Sequence, residues 1–138
     1  MKYFVFFLAL SQPVSAQDLH IYGGPGHDAY LGCFNCPEFS QEAICNEFGK
    51  GSEFSPDGIF NEFGTYGSEF SSSSPWNEFS SGNDVPVLVD KNGNFYGYFT
   101  INEFRSDAVE FSGNLKKIHA MANGDLTVVR SILCEALQ

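Results

Sequence analysis

Positive charge is what this chain has least of. Seven Lys and Arg stand against 17 Asp and Glu, a formal net charge of −10 at pH 7. Such a surface repels a phosphate backbone and argues against nucleic-acid binding. Long apolar runs are also lacking. Beyond residue 10, Gly, Asn, Glu or Ser interrupts every apolar stretch, and none approaches the roughly 20 residues of a membrane-spanning helix. Catalytic signatures are missing too: the chain has no Gly-x-Ser-x-Gly, no His-Glu-x-x-His and no phosphate-binding loop. His20 and His27 fall early and His119 near the end, none in a nucleophile pattern. No residue is assigned as catalytic, and no cofactor or metal is expected.

The N-terminus carries the clearest signal that is present. Met1-Lys2 precedes the apolar run Tyr3 to Leu10, and Ser11-Gln12-Pro13-Val14-Ser15-Ala16 follows. A basic start, a short apolar stretch and small residues at −3 and −1 predict a secretory signal over 1–16, cut before Gln17. Gln17 offers no lipid attachment point. Export to a periplasmic or secreted location follows, with a product that is not membrane-embedded. Its 122 residues suffice for one modest core. The signal takes away one Lys and no acid, leaving 6 basic and 17 acidic residues, a net charge of −11. Abundant aromatics argue against disorder, because such a chain has apolar surface to bury.

Four cysteines remain, Cys33, Cys36, Cys45 and Cys134. In an oxidising compartment they are disulfide candidates, with three possible connectivities. At least one bridge is expected among the first three.

The middle of the chain is a tandem repeat. Residues 46–60 begin Asn-Glu-Phe-Gly-Lys-Gly-Ser-Glu-Phe-Ser, and residues 61–76 begin Asn-Glu-Phe-Gly-Thr-Tyr-Gly-Ser-Glu-Phe-Ser. Partial copies lie on both sides, and Glu-Phe occurs eight times in the chain. Read as extended backbone, Glu and Phe point to opposite faces, with Phe inward and Glu toward water. Gly49, Gly51, Gly64 and Gly67 are read as turns through conformations open mainly to Gly. Ser40, Ser55 or Ser71 can each start one helical turn, with Pro56 at a first helical position. Units this small need to stack against neighbours. Cys45 aligns with Phe60 and Trp76, so an inward position is expected there, with a bridge to Cys36 or Cys33 in place of the aromatic ring.

Two matching hairpins bracket the repeat. Tyr30-Leu31-Gly32 matches Phe95-Tyr96-Gly97, and Pro37-Glu38-Phe39 matches Asn102-Glu103-Phe104. Each follows an apolar strand and a turn: Gly23-Gly24-Pro25-Gly26 in the first, and Asp90 to Asn94, with its Asn92-Gly93 cue, in the second. The two hairpins are expected to pair in one small sheet with the repeat across it. Helical character runs over 115–122 and over 126–137, with Asn123-Gly124 between them and Asp125 as a cap. Leu126, Val129, Leu133 and Leu137 share a face, and Cys134 lies beside them, placed to tie the tail to the core. The predicted fold is therefore a β-dominant α+β domain. A signal covers 1–16, a hairpin–repeat–hairpin domain 17–112 and a helical tail 113–138.

The run from Leu31-Gly32-Cys33 through the repeats to Val85-Pro86-Val87 and Gly97-Tyr98-Phe99-Thr100-Ile101-Asn102 resembles a group of exported bacterial proteins. Their repeats read Asn-x-(Tyr/Phe)-Gly-x-Tyr-Gly-Ser-x-(Tyr/Phe)-Ser. The likeness covers about residues 20–106. It implies export and architecture, and it carries no activity or site.

Three functional readings are compatible with these residues. The first is a non-enzymatic envelope or secreted module binding a protein, glycan or cell-wall partner, with Tyr66, Trp76, Glu47, Glu53, Glu62, Glu69 and Glu78 as contact candidates. The second is a small redox protein using Cys33-Phe34-Asn35-Cys36, or a hydrolase; Pro37 and the repeat start do not supply the helix a thioredoxin-like site needs. The third is a calcium-stabilised structural protein using the repeat carboxylates. The 90–94 turn is not an EF-hand, because Phe95 and Ile101 occupy positions that need Gly and Glu.

Overall fold

A computed structural model describes residues 17–137. The expected export signal lies outside the described residues. Strands β1 (Leu19–Gly23) and β2 (Ala29–Cys33) form the first hairpin, and β3 (Val87–Asp90) and β4 (Phe95–Tyr98) the second. Together they make one antiparallel sheet in the order β2-β1-β3-β4. The hairpins join through β1 and β3, with Ile21 opposite Leu88. Both hairpins match the sequence expectation.

The likeness between hairpins extends to atomic detail. Each second strand carries a glycine in the left-handed region, Gly32 at φ +133° and Gly97 at φ +124°. Ile44 crowds the first and the Val109 backbone the second, so a Cβ has no room at either position. Beyond each glycine the chain returns for one parallel bridge, Cys33 with Ala43 and Tyr98 with Ala108. This return carries the chain off the sheet edge and into the turns that follow.

Asp90 closes the second hairpin. Its Oδ1 accepts from the Asn92 and Asn94 backbone N–H groups at 2.9 and 3.0 Å, and its Oδ2 from Asn94 Nδ2 and Tyr96 Oη at 2.9 and 3.0 Å. Gly93 takes φ +83° at the tip. Four donors satisfy a carboxylate that is itself almost wholly covered. They hold its pKa down to about 2, the Asn94 side chain contributing most.

Helices α1 (Ser112–Met121) and α2 (Leu126–Leu137) form the tail. Ser112, one position before the expected tail, begins α1 and donates its hydroxyl to the Thr100 carbonyl at 2.6 Å. Asn123 and Gly124 take φ +54° and +77° between the helices. Asp125 then accepts from the Thr127 N–H at 3.1 Å, as an N-cap does. Leu126, Val129 and Leu133 face inward and Leu137 packs at the margin. Sheet, repeat and both helices contribute to one cluster around Trp76, Phe60, Phe99, Ile21, Leu88 and Leu115.

Candidate functional site

The repeat is neither extended strand nor helix. It is a succession of tight turns, each closed by a backbone hydrogen bond from residue i+3 to residue i, advancing three residues at a time. Gly49 donates to the Asn46 carbonyl at 3.0 Å, Ser52 to Gly49 at 3.0 Å, Ser55 to Ser52 at 3.3 Å and Gly58 to Ser55 at 3.0 Å. The second copy repeats the pattern from Asn61 to Gly64, takes one four-residue step in which Ser68 donates to the Gly64 carbonyl at 3.0 Å, and resumes it from Ser68 to Ser80. The expected single helical turns are therefore absent from the described residues 37–80, and the Ser positions open β-turns instead. The four glycines also differ from expectation. None has a positive φ; rather, a Cβ on Gly51 would strike the Ile44 carbonyl, and one on Gly67 the Asn61 carbonyl. Close packing of successive turns imposes glycine there.

In the turns that carry it, the Glu-Phe pair occupies the two corner positions, usually with Asn or Ser before it and Gly or Ser after. The leading side chain fixes the corner. Asn61 Oδ1 accepts from the Phe63 N–H at 3.0 Å, and Ser52 Oγ from the Phe54 N–H at 3.0 Å. Phe48, Phe70, Phe79 and Phe104 have the same arrangement. The asparagines also tie each turn to the one opened six residues earlier: Asn46, Asn61 and Asn77 donate Nδ2 to the carbonyls of Ser40, Ser55 and Ser71. Asn and Ser favour such positions because their short polar side chains bond the backbone two residues on.

The Glu-Phe corners up to residue 104 point away from the core, and this overturns the inward Phe. Phe39, Phe48, Phe54, Phe63, Phe70, Phe79 and Phe104 are 82–90% exposed. The inward residues are corners of the intervening turns, residues 43–46, 58–61 and 74–77. Ile44, Ile59, Phe60 and Trp76 are buried, and Cys45 packs beside them. The expected equivalence of Cys45, Phe60 and Trp76 as inward positions holds. Phe111, in the last Glu-Phe, is the exception among the phenylalanines of these pairs: it stacks on Phe34 at 5.2 Å.

Trp76 is therefore not a contact residue. It is 1% exposed, donates Nε1 to the Ile59 carbonyl at 2.6 Å, and stacks between Phe60 and the His119 ring. Burial lowers the His119 pKa, partly countered by Glu69 and Glu78. Tyr66 is half-buried, with its ring over Gly23 and its hydroxyl over Gly24. It braces the first hairpin.

Glu47, Glu62, Glu69 and Glu78 are exposed and Glu53 is half-buried. Among the described residues they do not gather in threes within ligand distance of one another. Asp18, Cys33 and Cys36 do so, but both sulfurs are committed to each other. The disulfides are Cys33–Cys36 and Cys45–Cys134. The first fulfils the expected bridge among the early cysteines; the second corrects the expected partner of Cys45. Cys33 and Cys36 face each other across a four-residue loop, whereas Cys45 faces α2, which lies over it and delivers Cys134. No helix follows Cys36, so the setting of a thioredoxin-like pair is not formed. Both bridges are compatible with an exported protein. Among the described residues, no helix is long and apolar enough to cross a membrane.

The outward corners border a series of clefts beside α2. Phe48 and Phe54 line one of about 420 Å³, Phe54 and Phe63 one of about 700 Å³, and Phe63 and Phe70 another of about 420 Å³. Consecutive rings thus serve as shared walls. Into the largest cleft also face Glu53, Glu62, Glu69 and Asp125. The Asn/Ser-Glu-Phe-Gly/Ser spacing was the available sign of this edge, since Asn or Ser at the first and Gly at the fourth position of a turn are favoured. No family model, curated protein or solved structure matches the chain.

Proposed function

We propose that this chain is an exported, non-enzymatic binding module whose repeat edge engages a partner outside the cytoplasm. The observation that carries the reading is the row of exposed phenylalanines on turns fixed by side-chain and backbone hydrogen bonds. A monomer gains nothing in stability from holding so many rings in water, and exposed apolar patches of this kind mark interaction surfaces. Rigid turns spare the ordering entropy that a flexible loop loses on binding. The resemblance of the repeat to exported bacterial proteins and the two disulfides support the extracytoplasmic setting.

The test uses the oxidised protein beginning at Gln17. Co-sedimentation with isolated wall and envelope fragments is compared between the native chain and the triple variant F54S/F63S/F70S. Retention of the native chain, lost in a variant of unchanged melting temperature, is the expected result. Equal sedimentation of both proteins, or sedimentation of neither, rejects the reading.

A further inference from the structure

The rings of the repeat never stand alone. Each exposed Phe of residues 38–79 and Phe104 follows a glutamate at the adjacent turn corner, so the edge presents π-faces and carboxylates together. An aromatic face attracts a cation through its quadrupole, and a carboxylate does so through its charge. The pair is thus a unit suited to an ammonium or guanidinium group.

The chain itself seats a cation in this way. Lys116 Nζ lies 3.8 Å from Glu78 and 3.6 Å from Glu103, and 5.6 Å from the centroid of the Phe104 ring. At the other end of the repeat, Arg130 reaches Glu47 at 3.4 Å while donating to the Gly51 carbonyl at 2.7 Å. Between these ends the units are unfilled: among the described residues Glu53, Glu62 and Glu69 form no ion pair. Those three carboxylates, with Phe54 and Phe63, line the cleft of about 700 Å³, a size within the usual range of ligand sites.

We propose that this central cleft and its neighbour between Phe63 and Phe70 dock a basic peptide segment, with Lys or Arg side chains seated between successive Phe rings and against Glu53, Glu62 and Glu69. The proposal rests on the binding-module reading and names its partner. Charge complementarity decides among occupants. A second copy would bring acidic edge against acidic edge, on chains that each carry −11 after signal removal. Anionic lipid headgroups and phosphate backbones meet the same repulsion. The two adjoining clefts suit an extended segment, which can place cations in successive sites.

Fluorescence anisotropy with a labelled Lys-Gly alternating decapeptide tests the proposal on the oxidised protein from Gln17. The expected result is saturable binding that weakens as salt rises. F54S/F63S/F70S, which keeps every charge, is expected to bind about ten- to hundredfold more weakly, from roughly half to one kcal/mol per exposed cation–π contact. E53Q/E62Q/E69Q is expected to lose binding with the rings intact. Native-like binding by the Phe variant would reduce the effect to bulk charge and overturn the proposal, as would binding of a Glu-Gly decapeptide with equal strength. Binding of zwitterionic vesicles or soluble glycan fragments without the basic peptide overturns this partner while leaving the module reading in place. Failure with every probe, joined to equal envelope sedimentation of native chain and Phe variant, overturns both.

Discussion

Replacing three neighbouring residues where the two repeat copies meet tests the outward polarity directly. Phe63 is 90% exposed. Full burial of such a ring is worth about 1.5–3 kcal/mol, so its covered tenth corresponds to roughly 0.3 kcal/mol. Phe63→Ala is therefore expected to change stability by less than about 0.5 kcal/mol, as a surface substitution does. Asn61 has no apolar surface to offer, yet it bonds the Ser55 carbonyl at 2.9 Å and the Phe63 N–H at 3.0 Å. The Ser55 carbonyl keeps its bond from the Gly58 N–H, and the two lost bonds contribute about 1 kcal/mol net each, so Asn61→Ala is expected to cost about 2 kcal/mol. Phe60 is 1% exposed and packs on Trp76; Phe60→Ala is expected to cost about 3–5 kcal/mol. Urea titrations of the oxidised proteins, followed by fluorescence of the single buried tryptophan, give all three values. The asparagine outranking the exposed phenylalanine is the distinctive result. A cost of 2 kcal/mol or more for Phe63→Ala, or less than about 0.5 for Asn61→Ala, would refute the turn geometry.

The two disulfides are expected to differ in weight. Cys45–Cys134 spans 89 residues and Cys33–Cys36 only three, and loop-closure entropy gives about 4.5 and about 2 kcal/mol respectively. C45S/C134S should thus lower the urea midpoint by much more than C33S/C36S; the reverse order would refute the tail-clamp role. Acid is expected to weaken the fold in two windows. The neutral His119 imidazole is favoured in the folded state, so its contribution is complete above the ordinary His pKa and declines as pH falls below about 6.5. Asp90, with its folded pKa near 2, contributes fully above the unfolded value of about 3.9 and loses that contribution between about pH 4 and 2. Urea midpoints from pH 8 to 2 check both windows. His119→Gln should flatten the first and Asp90→Asn the second, and unchanged slopes would remove these groups as the cause.

The hairpins were legible because their determinants are local. Asn92-Gly93 and the matched glycines at 32 and 97 specify turn and bulge within a few residues, and sheet pairing follows from apolar strands that have only each other to cover. The two helices were legible for the same reason, through Asn123-Gly124, Asp125 and the apolar stripe. Ring orientation was not, because the expectation borrowed the two-residue alternation of strands, whereas these turns advance by three. In a three-residue step both residues of a Glu-Phe corner can face outward, so alternation predicts the wrong face for its phenylalanine, while Asn, Ser and Gly at the first and fourth positions mark the turn. The partner of Cys45 was beyond local reading altogether, since it depends on where α2 lands after the rest of the chain has folded. A coil of turns secured by asparagines, glycine contacts and an inward set of Ile44, Ile59, Phe60 and Trp76 does not need its Glu-Phe corners for packing. Glu-Phe at those corners is consequently free of the constraint that normally hides a phenylalanine. Its repetition is better explained by what the edge touches than by what holds the fold together.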